Sequence, residues 1–389
     1  MLSTSFISEI KYLKALKAMF FDFYPHPLHA LDSSAWGDAA QRTIIACARA
    51  GLRPPCPARF SSFLPMHQPL KHALPLADPA ADQFADLPNG LRLCYRSYGH
   101  PEHPAVVLIA GLGLQLVSWP LALIEGLVQE GLRVITLDNR DIGRSSHLPH
   151  TPPPRWRMFL RWLPQGHYQI RDMADDVAQL LDGLGIASAH VVGMSMGGMI
   201  AQNLAAQHPD KVRSLTSIFS TTGNPRVGQA AGSTILRMLF GKPATTLEEA
   251  QTSFVKMMRH IGDPKVPGIE AAWRNYVTQA WQRTEPEQAL QGYERQVTAI
   301  IASGDRSAQL YRIEAPTLVI HGDKDRIVHP SGGAATARSI AGARMHTLIG
   351  MRHQIDEHVT PDLLQLLLPH IRDAECNTRT EDGPTCARP

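Results

Sequence analysis

No stretch of this chain comes near the ~18–20 uninterrupted apolar residues that a membrane-spanning helix needs, so a membrane span is not expected. Charge of one sign is also scarce. Lys and Arg number 38 against 35 Asp and Glu, a formal net charge of +3. That balance is too small to predict a nucleic acid or an anionic membrane as partner. Cysteine is sparse, scattered and odd in number: Cys47, Cys56, Cys94, Cys376 and Cys386. The spacing offers neither a zinc-type pair nor a disulfide framework. Free thiols in a reducing compartment are the plainer reading, which implies a cytoplasmic protein. No metal and no cofactor are expected, and the oligomeric state is left open.

What is present suits a large globular body. The 389 residues are 44% hydrophobic and 19% charged, enough chain to bury a sizeable core. Residues 1–85 differ from the rest. Met1 to Phe23 is apolar-rich, but Glu9, Lys11, Lys14 and Lys17 interrupt it. A secretory signal carries positive charge first and an unbroken apolar core after it, and the order here is different. Phe6, Ile10, Leu13, Leu16 and Phe20 recur at helical spacing. They predict a short amphipathic helix packed on the body, with an interfacial membrane helix as the sharper alternative. Seven prolines between Pro54 and Pro79 prevent long regular elements. Residues 1–85 therefore read as a Pro-rich extension, partly disordered, with no assigned chemistry.

The folded core is expected to begin near Asp86. After the turn residues Leu87-Pro88-Asn89-Gly90, the segment Leu91 to Tyr98 alternates in polarity like a strand. Apolar runs then alternate with helical stretches. Strands are expected at Ala105 to Ala110, Val134 to Asp138, His190 to Gly193, Val212 to Phe219, Pro316 to His321 and Ala343 to Leu348. Helices are expected at Trp119 to Glu130, Ile170 to Leu184, Met199 to Gln207, Ala334 to Ile340 and Asp356 to Ile371. This order predicts an α/β fold with a mostly parallel sheet flanked by helices. The core covers residues 86–220 and 308–372. Between them, 221–307 loses its strand signals and reads as a helical cap, and Thr151 to Gln165 reads as an irregular loop of the same lid. Residues 373–389 read as a loose polar tail.

The chemistry concentrates at Gly193-Met194-Ser195-Met196-Gly197-Gly198, which joins an apolar run to a helical one. A strand, a sharp turn and a helix with serine at the apex form a nucleophile elbow. Glycine is needed two residues either side, where a side chain would clash. The plain alternative is a Gly-rich turn that happens to hold a serine. A serine hydroxyl is a weak nucleophile until a base takes its proton. Asp325, in His321-Gly322-Asp323-Lys324-Asp325 just after a strand, is the candidate acid, with Asp323 as its rival. His353 follows the last strand and is the candidate base; His346 falls within that strand and His358 within the next helix. The backbone N–H groups of Met196 and of Leu112, in Gly111-Leu112-Gly113, are the candidate oxyanion donors. Trp273, Tyr276 and Trp281 lie near helical spacing and would either line a substrate pocket or form cap core.

These motifs carry a resemblance. Gly111 to Gly113, Asp138-Asn139-Arg140-Asp141-Ile142-Gly143-Arg144-Ser145, Gly193 to Gly198, Gly322 to Asp325 and Gly350 to His353 stand in the order seen in α/β-hydrolases. With Met173-Ala174-Asp175-Asp176 and Ser217 to Pro225, the chain more closely resembles the aclacinomycin methylesterase-like subgroup. The resemblance spans about residues 86–372 and implies the α/β-hydrolase fold with Ser195 as nucleophile, Asp325 as acid and His353 as base. Ala110 and Arg352 depart from the pattern, where many relatives have histidine and glycine. Haloalkane dehalogenases and epoxide hydrolases carry aspartate at the elbow, so Ser195 argues against an alkyl-enzyme route. The expected function is a serine hydrolase that cleaves a small-molecule carboxylic ester. The alternatives are a catalytically silent ligand-binding protein, or perhydrolase or C–C hydrolase chemistry on the same three residues.

Overall fold

The computed structural model describes residues 82–382, except 155–156, 159–161, 164–165 and 241–242. The expectations for residues 1–81, and much of the reading of 151–165 as a lid loop, lie outside the described residues.

Eight strands form one sheet in the order β1-β2-β4-β3-β5-β6-β7-β8. They are β1 (Gln83–Asp86), β2 (Arg92–Tyr98), β3 (Ala105–Ile109), β4 (Arg133–Leu137), β5 (Ala189–Met194), β6 (Val212–Ile218), β7 (Thr317–Gly322) and β8 (Arg344–Leu348). β1 and β2 pair antiparallel, as do β2 and β4. All other neighbours are parallel. The central strands are β-branched and leucine-rich because both faces are covered. Along β3, Val107 and Ile109 point into the apolar layer on one side of the sheet. Val106 and Leu108 point into the layer on the other. The first layer is closed by α2 (Ile170–Gly183) and α3 (Met196–Gln207), the second by α1 (Leu121–Gln129) and the C-terminal α10 (Thr360–Asp382).

Register fixes where the loops emerge. Ile109 of β3 pairs with Gly193 of β5, and Met194 pairs with Ile218 of β6. The carboxyl ends of β3, β5 and β6 therefore lie side by side, where open α/β sheets bind ligands. Between β6 and β7 the chain forms α4 (Gly232–Phe240), α5 (Leu247–Ile261), α6 (Ile269–Trp281) and α7 (Pro286–Ser303). The short α8 (Ser307–Leu310) leads back to the sheet, and α9 (Ser331–Ser339) joins β7 to β8.

The start of the sheet and both ends of the last helix differ from the sequence reading. The sheet begins at Gln83, upstream of Asp86, because a four-residue strand beside Pro79 is too short to register as alternation. The last helix starts at Thr360 rather than Asp356. The Asp356 carboxylate accepts the N–H groups of His358 and Val359 at 2.8 and 3.0 Å, forming a turn ahead of the helix. His358 belongs to that turn. The helix also runs on to Asp382, through residues read as a loose tail. Ala374 is buried, and Glu375 accepts from the buried His190 at 3.0 Å and from Arg213 at 2.7 Å.

The hydrogen bond from His190, opposed by desolvation and reinforced by Arg213, holds the Glu375 carboxyl at about 2, below its ordinary 4.5. A carboxyl lowered in the folded state contributes stability that is complete above about 4.5 and is lost as pH falls through about 2. Glu375→Gln is expected to lower the urea midpoint at pH 7, with the gap to wild type closing between about pH 4.5 and 2. A gap that stays constant over that range would contradict the assignment.

Candidate active site

Ser195 sits between β5 and α3 at φ 54° and ψ −119°, a conformation that costs a non-glycine residue roughly 1–3 kcal/mol. Its surroundings over-determine it. The Ser195 N–H donates to Ile218 O at 2.9 Å, and the Ser220 hydroxyl donates to Ser195 O at 2.8 Å. The glycines are required by backbone on both sides. A Cβ on Gly193 would overlap the Gly197 carbonyl, and a Cβ on Gly197 would overlap the Ile109 carbonyl of β3. This close passage leaves the Ser195 side chain half-buried at the sheet's end.

The loops after β7 and β8 meet it there. His353 Nε2 lies 3.0 Å from Ser195 Oγ, and His353 Nδ1 lies 2.7 Å from Asp325 Oδ2. With Nδ1 protonated towards the carboxylate, Nε2 is left to accept from the hydroxyl. The other carboxylate oxygen of Asp325 accepts from Ile327 N at 2.8 Å and Val328 N at 2.9 Å. Burial alone would push this carboxyl up. The facing His353, hydrogen bonds from His321 and His353, and the Val328 N–H outweigh it and hold Asp325 well below the usual range. It is an anion beside the imidazole at neutral pH. Asp323 does something else: its carboxylate accepts the Gly350 N–H at 2.6 Å, tying the two loops together.

Phe219 also belongs to this site. Its ring packs against the His353 imidazole with centroids 4.4 Å apart and planes tilted by 46°. The backbone there has φ 36°, an outlier for a bulky residue. No local pattern marks it, since the strand signal simply ends at Phe219.

The loop after β3 closes the other side. A Cβ on Gly111 would stand 3.3 Å from the Ser195 Cβ, so the backbone here passes directly over the serine. Met196 opens α3, where an N–H has no helical partner. Among the described residues, neither the Met196 N–H nor that of Leu112 is taken up by another group. Ala110 is fully buried and its carbonyl accepts from the Asn139 amide at 3.2 Å.

The helical segment between β6 and β7 touches every one of these loops. Ala231 N and Thr234 Oγ1 both donate to Arg326 O at 3.0 Å, beside Asp325. Ile261 O accepts from the His353 N–H at 3.0 Å, and Gly262 O accepts from Arg352 at 3.1 Å. Of the three aromatics singled out in the sequence, Trp273 packs with Val255 and Ile269 as core between α5 and α6. Tyr276 packs against Phe254 with the rings tilted and accepts from the Gln115 N–H at 3.2 Å. Trp281 is half-buried at the end of α6.

Residues 104–355 match the α/β hydrolase fold family. The chain belongs to that family. It is 29% identical over 297 residues to rhodomycin D methylesterase DnrP of Streptomyces peucetius, spanning 71% of this chain and 93% of that protein. Among solved structures it resembles a hydrolase from Pseudomonas aeruginosa PA01 (26% identity, 76% and 99% coverage, TM-score 0.57). It also resembles the enol-lactonase of Burkholderia xenovorans LB400 (25% identity, 75% and 100% coverage, TM-score 0.56). The methylesterase likeness agrees with the subgroup resemblance carried by the motifs.

Within this α/β hydrolase the described residues hold no group of three or more His, Cys, Asp or Glu placed for a metal ion. No described helix is long and apolar enough to cross a membrane. Cys94 is buried and unbridged. Burial, then the nearby carboxylates Asp138 and Asp82, push its thiol up to about 12, so it is no rival nucleophile.

Gly197→Ala sets a methyl group against the Ile109 and Ala110 carbonyls, and overpacking of this kind costs about 1–3 kcal/mol or more. The variant is expected to melt several degrees lower and to lose activity beyond its loss of folded protein. An unchanged melting temperature would contradict the close passage of the turn under β3.

Proposed function

We propose that the chain is a serine hydrolase that cleaves a carboxylic ester through an acyl-enzyme. The observation that carries this reading is the line Asp325–His353–Ser195, with hydrogen-bonding distances of 2.7 and 3.0 Å. Ser195 Oγ attacks the ester carbonyl carbon while His353 Nε2 takes the hydroxyl proton. The Asp325 carboxylate holds the imidazole in the tautomer that can accept, and stabilises the imidazolium. The carbonyl oxygen becomes an oxyanion facing the N–H groups of Met196 and Leu112. Collapse of the tetrahedral species breaks the C–O bond, and His353 returns the proton to the departing alcohol. Water, deprotonated by the same imidazole, then hydrolyses the acyl-enzyme and regenerates Ser195.

Two kinds of relative support the ester as substrate class. One is named a methylesterase and another an enol-lactonase, and both names describe cleavage of a carboxylic ester bond. In this reading α4 to α7 are a cap over the serine, and the substrate is a small molecule held between cap and sheet end. The chemistry requires no metal or cofactor.

Ser195→Ala is expected to remove hydrolysis of short p-nitrophenyl esters by about 10³-fold or more while leaving the melting temperature unchanged. Asp325→Asn leaves the imidazole in the wrong tautomer and is expected to lower kcat by on the order of 10⁴. Steady-state kinetics with circular dichroism checks both. Retained turnover in folded Ser195→Ala would refute the nucleophile.

A further inference from the structure

We infer that the helical segment is a positioning device for the oxyanion loop, acting through Gln296, Tyr276 and Arg283. The inference rests on the reading of Ser195 as nucleophile and of the Leu112 N–H as an oxyanion donor. Those assignments do not require that anything outside the loop hold it in place.

Each N–H that follows Leu112 in this loop is committed. The Gly113 N–H donates to Gln296 Oε1 at 3.0 Å. The Leu114 N–H donates to Gly111 O at 3.2 Å. The Gln115 N–H donates to Tyr276 Oη at 3.2 Å, and the Leu116 N–H donates to Asp138 Oδ1 at 2.7 Å. Two of these four acceptors stand on α6 and α7. Gly113 is itself at φ 69°, and a Cβ there would stand 2.8 Å from the Tyr293 ring of α7. The loop is thus pressed and hydrogen-bonded from the helical side at the residue after the donor.

The acceptors are themselves fixed. Gln296 is fully buried, and its amide nitrogen donates to Arg140 O at 2.9 Å. That orients the carboxamide so that its oxygen faces Gly113. The Gln115 side chain donates to Ala280 O at 3.0 Å and accepts from Arg283 Nε at 2.8 Å. Arg283 also donates to Asp82 and Asp138, and Asp138 is the acceptor of the Leu116 N–H. One guanidinium therefore bridges the end of α6, the side chain of Gln115 and the carboxylate that holds its neighbour. A group misplaced by about 1 Å can cost on the order of 10² in rate. A donor held by distant side chains is open to that loss.

The test uses changes that keep volume and introduce no charge. Gln296→Met removes the acceptor of the Gly113 N–H, and Tyr276→Phe removes only a hydroxyl. In the full-length enzyme with p-nitrophenyl esters, Gln296→Met and Tyr276→Phe are expected to lower kcat about 10- to 100-fold. KM is expected to change less than about 2-fold. Affinity for a trifluoromethyl ketone, which forms an oxyanion on addition to serine, should weaken in proportion to kcat. Affinity for the unreactive ketone of the same shape should hold. If kcat and trifluoromethyl ketone affinity are unchanged in both folded variants while Ser195→Ala is inactive, the positioning role is refuted and the hydrolase reading stands. If Ser195→Ala keeps its activity, the hydrolase reading itself falls. If Gln296→Met fails to fold, Tyr276→Phe decides the matter, since a Tyr276→Phe enzyme with wild-type kcat overturns the inference.

Discussion

The backbone of the turn at Ser195 passes within contact of its own far side and of the end of β3. Gly193 lies against the Gly197 carbonyl, Gly197 lies against the Ile109 carbonyl, and Gly111 crosses over the serine Cβ. No side chain fits in any of the first two gaps, and the serine between them is held in a conformation that L-residues avoid. That crowding decides the rest. It brings the end of β3 and the loop after it to the serine. It also lifts the hydroxyl clear of the sheet, to where loops from β7 and β8 can reach it. The strain is sustained by hydrogen bonds to Ile218 and Ser220, and by the large core on both faces of the sheet.

The sequence was most legible where geometry leaves one residue type. Gly193 and Gly197 could be read because only glycine survives such contact. Asp325 and His353 could be read because each follows a recognisable strand in a parallel sheet, and loops after such strands share one edge. Asp323 and Asp325 could be separated because the first carboxylate of such a turn tends to hold backbone, as Asp323 does with Gly350.

What was not legible depends on partners far along the chain. Gln296 meets Gly113 across 183 residues, and Arg283 meets Gln115 across 168. A glutamine or arginine in a helical stretch carries no local mark of such a contact. The aromatics show the same limit from another side. Trp273 and Tyr276 share one helix and nearly one face, yet Trp273 is core and Tyr276 reaches the β3 loop. Periodicity cannot tell those apart. The contact of Phe219 with His353 was invisible because it comes from a positive-φ backbone at the strand's end. The last helix was drawn too early at its start and too short at its finish. A carboxylate-capped turn and a polar stretch anchored by Glu375 both contradict simple polarity patterns.

The helical segment contacts each of the loops around Ser195. It grips the acid loop at Arg326, the histidine loop at Ile261 and Gly262, and the β3 loop at Gly113 and Gln115. These contacts are polar and partly buried. Each fixes a direction as well as a distance, which apolar packing does not. The sheet supplies the meeting point, and the helices above it supply the registration of the loops that meet.

The most direct measurement is covalent. The full-length protein, treated with a fluorophosphonate and mapped by peptide mass spectrometry, should carry one adduct per chain on Ser195, and His353→Ala should abolish it. An adduct on another residue, or an unlabelled Ser195 in folded protein that still hydrolyses esters, would contradict an activated serine at the end of β5.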